Sequence, residues 1–170
     1  MIKYEIGDLL EGDCDIIAHQ ANCFKTMGGG IARVIKAVYP EAYEADLNFN
    51  FSPESRLGMA SHAVTKGTNG LEKTIFNLYG QYQLGTDKRQ TNYDALSSAL
   101  ESMMETINVI SSPDSKIGVP YKMGCDLAGG DWNVVSEILD RVSGKFGKTI
   151  HVIVLPHLAK EVEHLLEVSE

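Results

Sequence analysis

Three consecutive glycines, Gly28-Gly29-Gly30, stand between an apolar run at residues 16–18 and the helical pattern of residues 31–36. Without Cβ atoms at the start of a helix, an anion can approach backbone N–H groups that have no helical partner, and the helix dipole attracts it further. The order of strand, glycine turn and helix therefore predicts a binding site for a phosphate or a diphosphate.

A second glycine-bearing segment, residues 122–132, follows the apolar run of residues 117–121 and precedes another helical pattern. In an open α/β sheet, loops at the carboxyl ends of the strands meet along one edge, and ligands bind there. We therefore expect the two glycine loops to hold one elongated anionic ligand from opposite sides. One such loop would be weaker evidence, because glycine is common in turns.

Length and composition fit one globular domain that spans residues 1–170. With 44% hydrophobic and 22% charged residues, the chain has enough apolar surface for a single core. No apolar run approaches the roughly 20 residues of a membrane span, and residues 1–6 lack the apolar core of a signal peptide. We expect a cytoplasmic monomer without a membrane partner.

The net charge and the cysteines argue against several classes of function. A formal charge of −8 opposes binding of long nucleic acids, whose affinity comes from clustered Lys and Arg, but is compatible with a small anionic ligand. Cys14, Cys23 and Cys125 lack the spacing of a disulfide framework or a zinc site, so we expect reduced thiols, no metal and no cofactor. Cys23 and Cys125 lie in the glycine loops, where a nucleophilic role competes with that of a small buried residue.

Hydrophobic periodicity predicts alternating strands and helices, which indicates a three-layer α/β/α fold with a mixed, largely parallel central sheet. Two of the strands flank a turn and are expected to form a hairpin, at residues 58–64 and 74–79. The other strands are expected at residues 2–6, 15–20, 117–121 and 149–155, and the helices at residues 30–38, 40–47, 92–107, 132–142 and 158–168.

Four segments, in this order and spacing, resemble the macrodomain family over nearly the whole chain. They are Gly7-Asp8-Leu9-Leu10, Ile17-Ala18-His19-Gln20-Ala21-Asn22, Gly28-Gly29-Gly30-Ile31-Ala32 and Gly124-Cys125-Asp126-Leu127-Ala128-Gly129-Gly130-Asp131-Trp132. Within the family, the chain most resembles the ADP-ribose-1''-phosphate phosphatases, which share the His-x-x-Asn-Cys arrangement and have relatives in bacteria and phages. The resemblance implies a chain that binds ADP-ribose and hydrolyses ADP-ribose 1''-phosphate to ADP-ribose and phosphate without a metal.

The resemblance also implies which residues bind the ligand. Asp8 would accept a hydrogen bond from the exocyclic amine of adenine, and Asn22 would hold the hydroxyls of the distal ribose, although both residue types also occur in turns. The other positions implied lie in the two glycine loops and near the end of the strand at 74–79. They are Leu9, Gly28, Gly29, Gly30, Ile31, Tyr79, Gly80, Gln81, Gly124, Cys125, Leu127, Ala128 and Gly129.

His19 and Asp126 are the catalytic residues that this resemblance implies. A histidine at the position of His19 would exchange a proton near the phosphate on C1'', since neutral imidazole can accept or deliver one. The alternative for His19 is a buried ring with a satisfied hydrogen bond. Asp126 stands where relatives more often have glycine; turned inward it could orient a water or protonate a leaving group, and turned outward it is a turn residue.

Two other functions stay open: a module that binds ADP-ribose without turnover, and a glycohydrolase that removes ADP-ribose from protein or nucleic acid. Related glycohydrolases use a lysine after the strand at 74–79 and an aspartate in the second loop. This chain has Gly80 or Gln81 and Ala128 at those places. Lys25 and Lys122 flank the loops, either as solvated surface residues or as added positive charge.

Overall fold

The structure, a computed structural model that describes residues 1–166, has a six-stranded sheet with helices on both faces. The strands are β1 (Ile2–Ile6), β2 (Ile16–Gln20), β3 (Ala60–Lys66), β4 (Glu72–Leu78), β5 (Ile117–Pro120) and β6 (Ile150–Val154). The α-helices are α1 (Gly30–Val38), α2 (Pro40–Asn48), α3 (Pro53–Arg56), α4 (Tyr93–Ile110) and α5 (Trp132–Phe146). Two 3-10 helices follow, Pro156–Glu161 and Glu163–Leu165.

The strand order of the sheet is β1-β6-β5-β2-β4-β3. Neighbouring strands are parallel except for β3, which pairs with β4 in an antiparallel hairpin. β2 lies between β5 and β4, with Ile17 opposite Gly118 on one side and Ile75 on the other. The predicted mixed, largely parallel sheet is confirmed, and the strands that precede the two glycine loops are neighbours.

Each face of the sheet has its own core. Ile16 and Ala18 of β2 pack among the buried residues of α4 and α5, whereas Ile17 packs against α1 and α2. Successive side chains of a strand point to opposite faces, and here helices cover both of them. All five residues of β2 are consequently buried.

The largest departure from the predicted elements is at the carboxyl end. In place of an α-helix over 158–168, the described part of this segment forms two short 3-10 helices, and residues 167–168 lie outside the described residues. Neither has a side-chain cap, and so short a segment has too few hydrogen bonds to sustain an α-helix. In addition, α3 forms where the sequence has no clear period; Ser52 caps it by accepting from the Ser55 N–H.

A buried ion pair ties α2 and α3 to the end of β4. The Arg56 guanidinium donates to Asp46 Oδ1 at 2.8 Å, and both side chains are completely buried. The same carboxylate oxygen accepts from the Tyr79 hydroxyl at 2.7 Å. Arg56 also donates to the backbone carbonyls of Asp46 and Phe49. Removing the guanidinium would therefore leave a carboxylate buried without its counter-ion.

Arg56→Met should lower the free energy of unfolding by about 3–5 kcal/mol, because the fully buried Asp46 carboxylate loses its counter-ion. Lys145→Met is the matched control: the Lys145 side chain is 62% exposed in its ion pair with Glu101, so its loss should cost less than about 1 kcal/mol. Urea unfolding measures both. Equal losses would contradict this account of the buried pair.

Candidate functional site

A cavity of about 650 Å³ opens at the carboxyl ends of β2, β5 and β6. Both glycine loops line it, as does the turn after β1. The volume lies within the roughly 300–1,000 Å³ typical of small-molecule sites. In the part of the chain that the structure describes, no cluster of His, Cys, Asp and Glu suited to a metal is found, and no helix has the length and apolarity needed to cross a bilayer.

The first glycine loop presents backbone N–H groups at the start of α1. Gly30 has a φ of 57°, a left-handed conformation that glycine adopts without strain, and it begins the helix. The first helical bond runs from the Arg33 N–H to the Gly29 carbonyl. Within the described chain, the N–H groups of residues 28–32 have no hydrogen-bond acceptor. The positive end of the helix dipole and five donors therefore lie together at the cavity wall.

Asn22 shapes the turn that leads into this loop. Its Oδ1 accepts from the Phe24 N–H at 2.8 Å, and its Nδ2 donates to Thr26 Oγ1 at 2.7 Å. Lys25 and Met27 have φ values of 59° and 41°, which these bonds help to hold in the left-handed region. Asn22 thus closes a turn, and it also lines the cavity.

In the second glycine loop, the carbonyls of Gly124 and Ala128 accept hydrogen bonds, and several N–H groups have no acceptor within the described chain. The Gly124 carbonyl accepts from the Gly130 N–H, and the Ala128 carbonyl accepts from the N–H groups of residues 90 and 91. The N–H groups of residues 126–128 have no acceptor among the described residues. Successive free N–H groups in a loop form a concave site that attracts anions.

The two loops meet across the cavity. A Cβ on Gly29 would lie 3.3 Å from Leu127 Cδ1, so the first loop touches the side chain of the second. Leu127 is nevertheless 57% exposed, because it spans the gap between the loops. The residues that carry the free N–H groups of both loops therefore line one cavity.

Comparison with curated proteins places the chain in a family. It is 33% identical over 150 residues to the uncharacterized 17.5 kDa protein of the tk-vs intergenic region of Enterobacteria phage T4, covering 85% of this chain and 92% of that protein. It belongs to one family with that phage protein. It is also 26% identical over 167 residues to the ADP-ribose 1''-phosphate phosphatase of Debaryomyces hansenii, covering 83% and 93% of the two chains. No family model matches the chain.

Solved structures identify the fold. The macrodomain of Mycobacterium tuberculosis DarG superposes with a TM-score of 0.69 at 24% identity, covering 92% of this chain and 98% of that one. The chain has the macrodomain fold. Thermosipho africanus DarTG, solved in complex with ADP-ribose, superposes with a TM-score of 0.65 at 17% identity. The superposition covers 91% of this chain and 42% of the DarTG chain. The predicted macrodomain fold and its α/β class are confirmed.

Most of the site residues expected from the sequence line the cavity of this macrodomain. Asp126, an expected catalytic residue, is among them with an exposed side chain. Asp8 is another; its Oδ1 accepts from the Leu10 N–H at 2.9 Å and from the Glu11 N–H at 3.3 Å. The others are Leu9, Asn22, Gly28, Gly29, Gly30, Ile31, Gln81, Gly124, Leu127 and Ala128.

His19 does not line the cavity, which corrects the prediction that its ring reaches the ligand. It shares the face of β2 with Ile17, where α2 covers the sheet, and it is fully buried. Its Nε2 is hydrogen-bonded to Asn77 Oδ1 at 2.7 Å, and Asn77 in turn donates to the Ala42 carbonyl. Burial lowers the pKa of the imidazole, because the charged form is disfavoured away from water. The structure matches the alternative of a buried histidine.

Four further residues expected to bind the ligand also lie behind the cavity wall. Tyr79 is buried and hydrogen-bonded to Asp46 and Ser61. Gly80 packs against the side chains of Gln20 and Leu96. These two positions face the core because the chain enters the cavity only at Gln81, one residue later.

The other two lie in the second loop but point away from the cleft. The Cys125 side chain packs against the core formed with α4 and α5, and its thiol donates to the Met123 carbonyl. Gly129 packs against the backbone of Arg89. Residues 126–128 therefore line the cleft, whereas Cys125 and Gly129 on either side of them contact the body of the domain.

Sequence reasoning missed the apolar residues at the other end of the cavity. Tyr121, Leu155 and Leu158 line it, as does Lys122, whose Nζ lies 2.8 Å from Glu161 Oε1. The available signal was the strand β6: its carboxyl end is next to that of β5, so the residues after both strands reach the same edge. Lys25 does not line the cavity.

Cys125 should react slowly with alkylating agents. Burial, together with the nearby carboxylates of Asp126 and Asp131, raises the pKa of its thiol to about 12. At pH 8, iodoacetamide should modify it about a hundredfold more slowly than an ordinary thiol with a pKa near 8.5. The rate should keep rising as pH increases, because the thiolate forms only as pH approaches the raised pKa. Mass spectrometry, with Cys125→Ser to assign the site, measures the rate; a plateau below pH 9 would contradict the prediction.

Proposed function

We propose that this macrodomain binds ADP-ribose in the cavity and hydrolyses ADP-ribose 1''-phosphate to ADP-ribose and inorganic phosphate. The observation that carries the proposal is the meeting of two loops whose free N–H groups line a single cavity. The name of the related Debaryomyces hansenii phosphatase supports the substrate, and the ADP-ribose complex of Thermosipho africanus DarTG supports the ligand.

The diphosphate of the ligand would lie between the two loops. Backbone N–H groups of residues 28–32 and 126–128 supply donors from opposite sides. Donors fixed in a loop bind an anion without first giving up other hydrogen bonds, and the dipole of α1 adds to the attraction. The net charge of −8 is no obstacle, because these donors act at short range.

The adenosine would occupy the end of the cavity near β1 and β6. Asp8 uses Oδ1 for the backbone of its own turn, which leaves Oδ2 to accept from the adenine amine. Tyr121, Leu155 and Leu158 supply apolar surface for the base. Asn22, at the other end, has an amide proton to spare for a ribose hydroxyl.

Asp126 is the residue proposed to handle the proton. It lines the cavity within the second loop, and its carboxylate is exposed to water. As general base it accepts a proton from a water molecule whose oxygen attacks the phosphorus of the 1''-phosphate. The bond from phosphorus to the ribose oxygen then breaks, and that oxygen takes up the proton. The products are phosphate and ADP-ribose.

A module that binds ADP-ribose without turnover is the second candidate. The burial of His19 favours it. This implied catalytic residue is hydrogen-bonded to Asn77 on the face of β2 that α2 covers, and it does not line the cavity. The two candidates share the binding step and differ in the release of phosphate.

Gly29→Val should weaken ADP-ribose binding at least about tenfold, as measured by calorimetry. Gly29 has an extended backbone, φ −140° and ψ 158°, which valine adopts without strain. The new side chain would stand beside Leu127 and fill the space between the loops. Gly144→Ala is the control, because no atom lies within 4 Å of its added Cβ. Unchanged affinity in Gly29→Val would place the ligand elsewhere.

Asp126→Asn should lower the rate of phosphate release from ADP-ribose 1''-phosphate about a hundredfold, because the amide cannot accept the proton of the attacking water. Affinity for ADP-ribose should stay within about twofold, as the N–H groups of the loop are untouched. Asp114→Asn, an exposed carboxylate remote from the cavity, should have the parent rate. Binding without any phosphate release in the parent chain would favour the non-catalytic module.

A further inference from the structure

A chain of buried side-chain hydrogen bonds lies directly behind the second glycine loop. Gln20, the last residue of β2, donates from Nε2 to Gln81 Oε1 and to Thr91 Oγ1, each at 2.9 Å. Thr91 donates in turn to the Gly124 carbonyl at 2.6 Å. All three side chains are at least nine-tenths buried. Nothing in the glycine motifs points to Thr91 as part of the site.

Two backbone carbonyls fix the direction of every bond in this chain. The Gly124 carbonyl can only accept, so the Thr91 hydroxyl must donate to it and must accept from Gln20. The Gln83 carbonyl can only accept from Gln81 Nε2, so Gln81 Oε1 must also accept from Gln20. Gln20 therefore has one possible orientation, with its Oε1 buried and without a partner among the described residues.

The packing around Gln20 leaves no room for a side chain at position 80 or 124. A Cβ on Gly124 would lie 2.8 Å from Gln20 Oε1 and 3.1 Å from Thr91 Oγ1. A Cβ on Gly80 would lie 2.5 Å from Gln20 Oε1. The glycines at these two positions let the backbone of the second loop rest directly on the buried side chains.

Thr91 forms hydrogen bonds to the second loop on both sides of residues 126–128, whose N–H groups have no acceptor in the part of the chain that the structure describes. Its hydroxyl holds the Gly124 carbonyl, and its backbone N–H, with that of Gln90, holds the Ala128 carbonyl. The N–H groups of residues 126–128 lie between these two fixed points, and those residues line the cavity. With the Gly124 and Ala128 carbonyls engaged on the Thr91 side, neither of these two carbonyls can turn toward the ligand, and both ends of the segment are fixed.

We infer that Thr91, oriented by Gln20, is a positioning residue that fixes the diphosphate-binding backbone of the second loop. The inference rests on the proposed binding of ADP-ribose. It adds a residue that touches no ligand and whose effect is confined to the diphosphate. Among the described residues, no hydrogen bond links Asp8 or Leu155, at the adenosine end of the cavity, to Gln20, Gln81 or Thr91.

Thr91→Val tests the inference, because valine keeps the shape and the backbone N–H but lacks the hydroxyl. Calorimetry should show ADP-ribose binding about tenfold more weakly, in line with the loss of one buried hydrogen bond. Adenosine, which has no diphosphate, should bind within about twofold of its affinity for the parent chain. Thr91→Ser, which restores the hydroxyl, should restore ADP-ribose affinity to within about threefold.

Gln20→Met provides a second route to the same measurement. It removes the donor that orients Thr91 while keeping a side chain of similar length, and it should also weaken ADP-ribose more than adenosine. Because both variants break one chain of bonds, Gln20→Met combined with Thr91→Val should bind ADP-ribose no more than about twofold more weakly than Thr91→Val alone. Thermal unfolding identifies any variant that has lost its fold.

The outcomes separate this inference from the proposed function. A parent chain that binds no ADP-ribose overturns both. If the parent binds and Thr91→Val binds equally well, Thr91 has no positioning role. Equal losses of ADP-ribose and adenosine affinity, or failure of Thr91→Ser to recover, would assign Thr91 a general structural role and overturn the inference. Should Thr91→Val not fold, Gln20→Met decides by the same comparison of the two ligands.

Discussion

The parallel pairing of β2 with β5 is the constraint on which the site depends. Parallel strands send their carboxyl ends to the same edge of a sheet, and each of these two strands is followed by glycines and then by a helix. Their adjacency brings the two glycine loops together at one cavity, where the Leu127 side chain of one loop lies beside Gly29 of the other, although the loops are far apart in the chain. A crossover that placed another strand between β2 and β5 would increase the separation of the loops by one further strand spacing, roughly 4.8 Å, and the cavity between them would widen.

Each face of β2 contributes a different support. On the face toward α2, His19 and Asn77 belong to a buried polar network that continues through Ser61 and Tyr79 to the Arg56–Asp46 ion pair. On the face toward α4, Gln20 leads to the second glycine loop through Thr91. Consecutive residues of one strand thus serve different purposes. The network that contains His19 stabilises the body of the domain, and the network that contains Gln20 holds the wall of the cavity.

The sequence was sufficient for the six strands, for α1, α2, α4 and α5, and for the glycine loops, because these depend on local patterns. It did not predict α3 or the two 3-10 helices. The hydrophobic period, the position of Pro40 and the glycines before each helix are visible within a few residues. Residues two apart in a strand lie on the same face of the sheet, so His19 shares the face of Ile17, which is covered by α1 and α2. The motif alone could not reveal this. Thr91 lies 33 residues from its partner carbonyl at Gly124, and only the tertiary structure shows that they meet.

The contact of Leu127 with Gly29 also bears on the kinetics of exchange at this cleft. The leucine bridges the gap between the loops, so an elongated molecule has to pass beneath it or displace it. Because that side chain is largely in water, its rotamers interchange on the picosecond to nanosecond scale. A barrier of this kind opens far faster than a segment that must refold. For the proposed complex with ADP-ribose, the lifetime would consequently depend on the strength of the backbone contacts and not on the opening of the bridge.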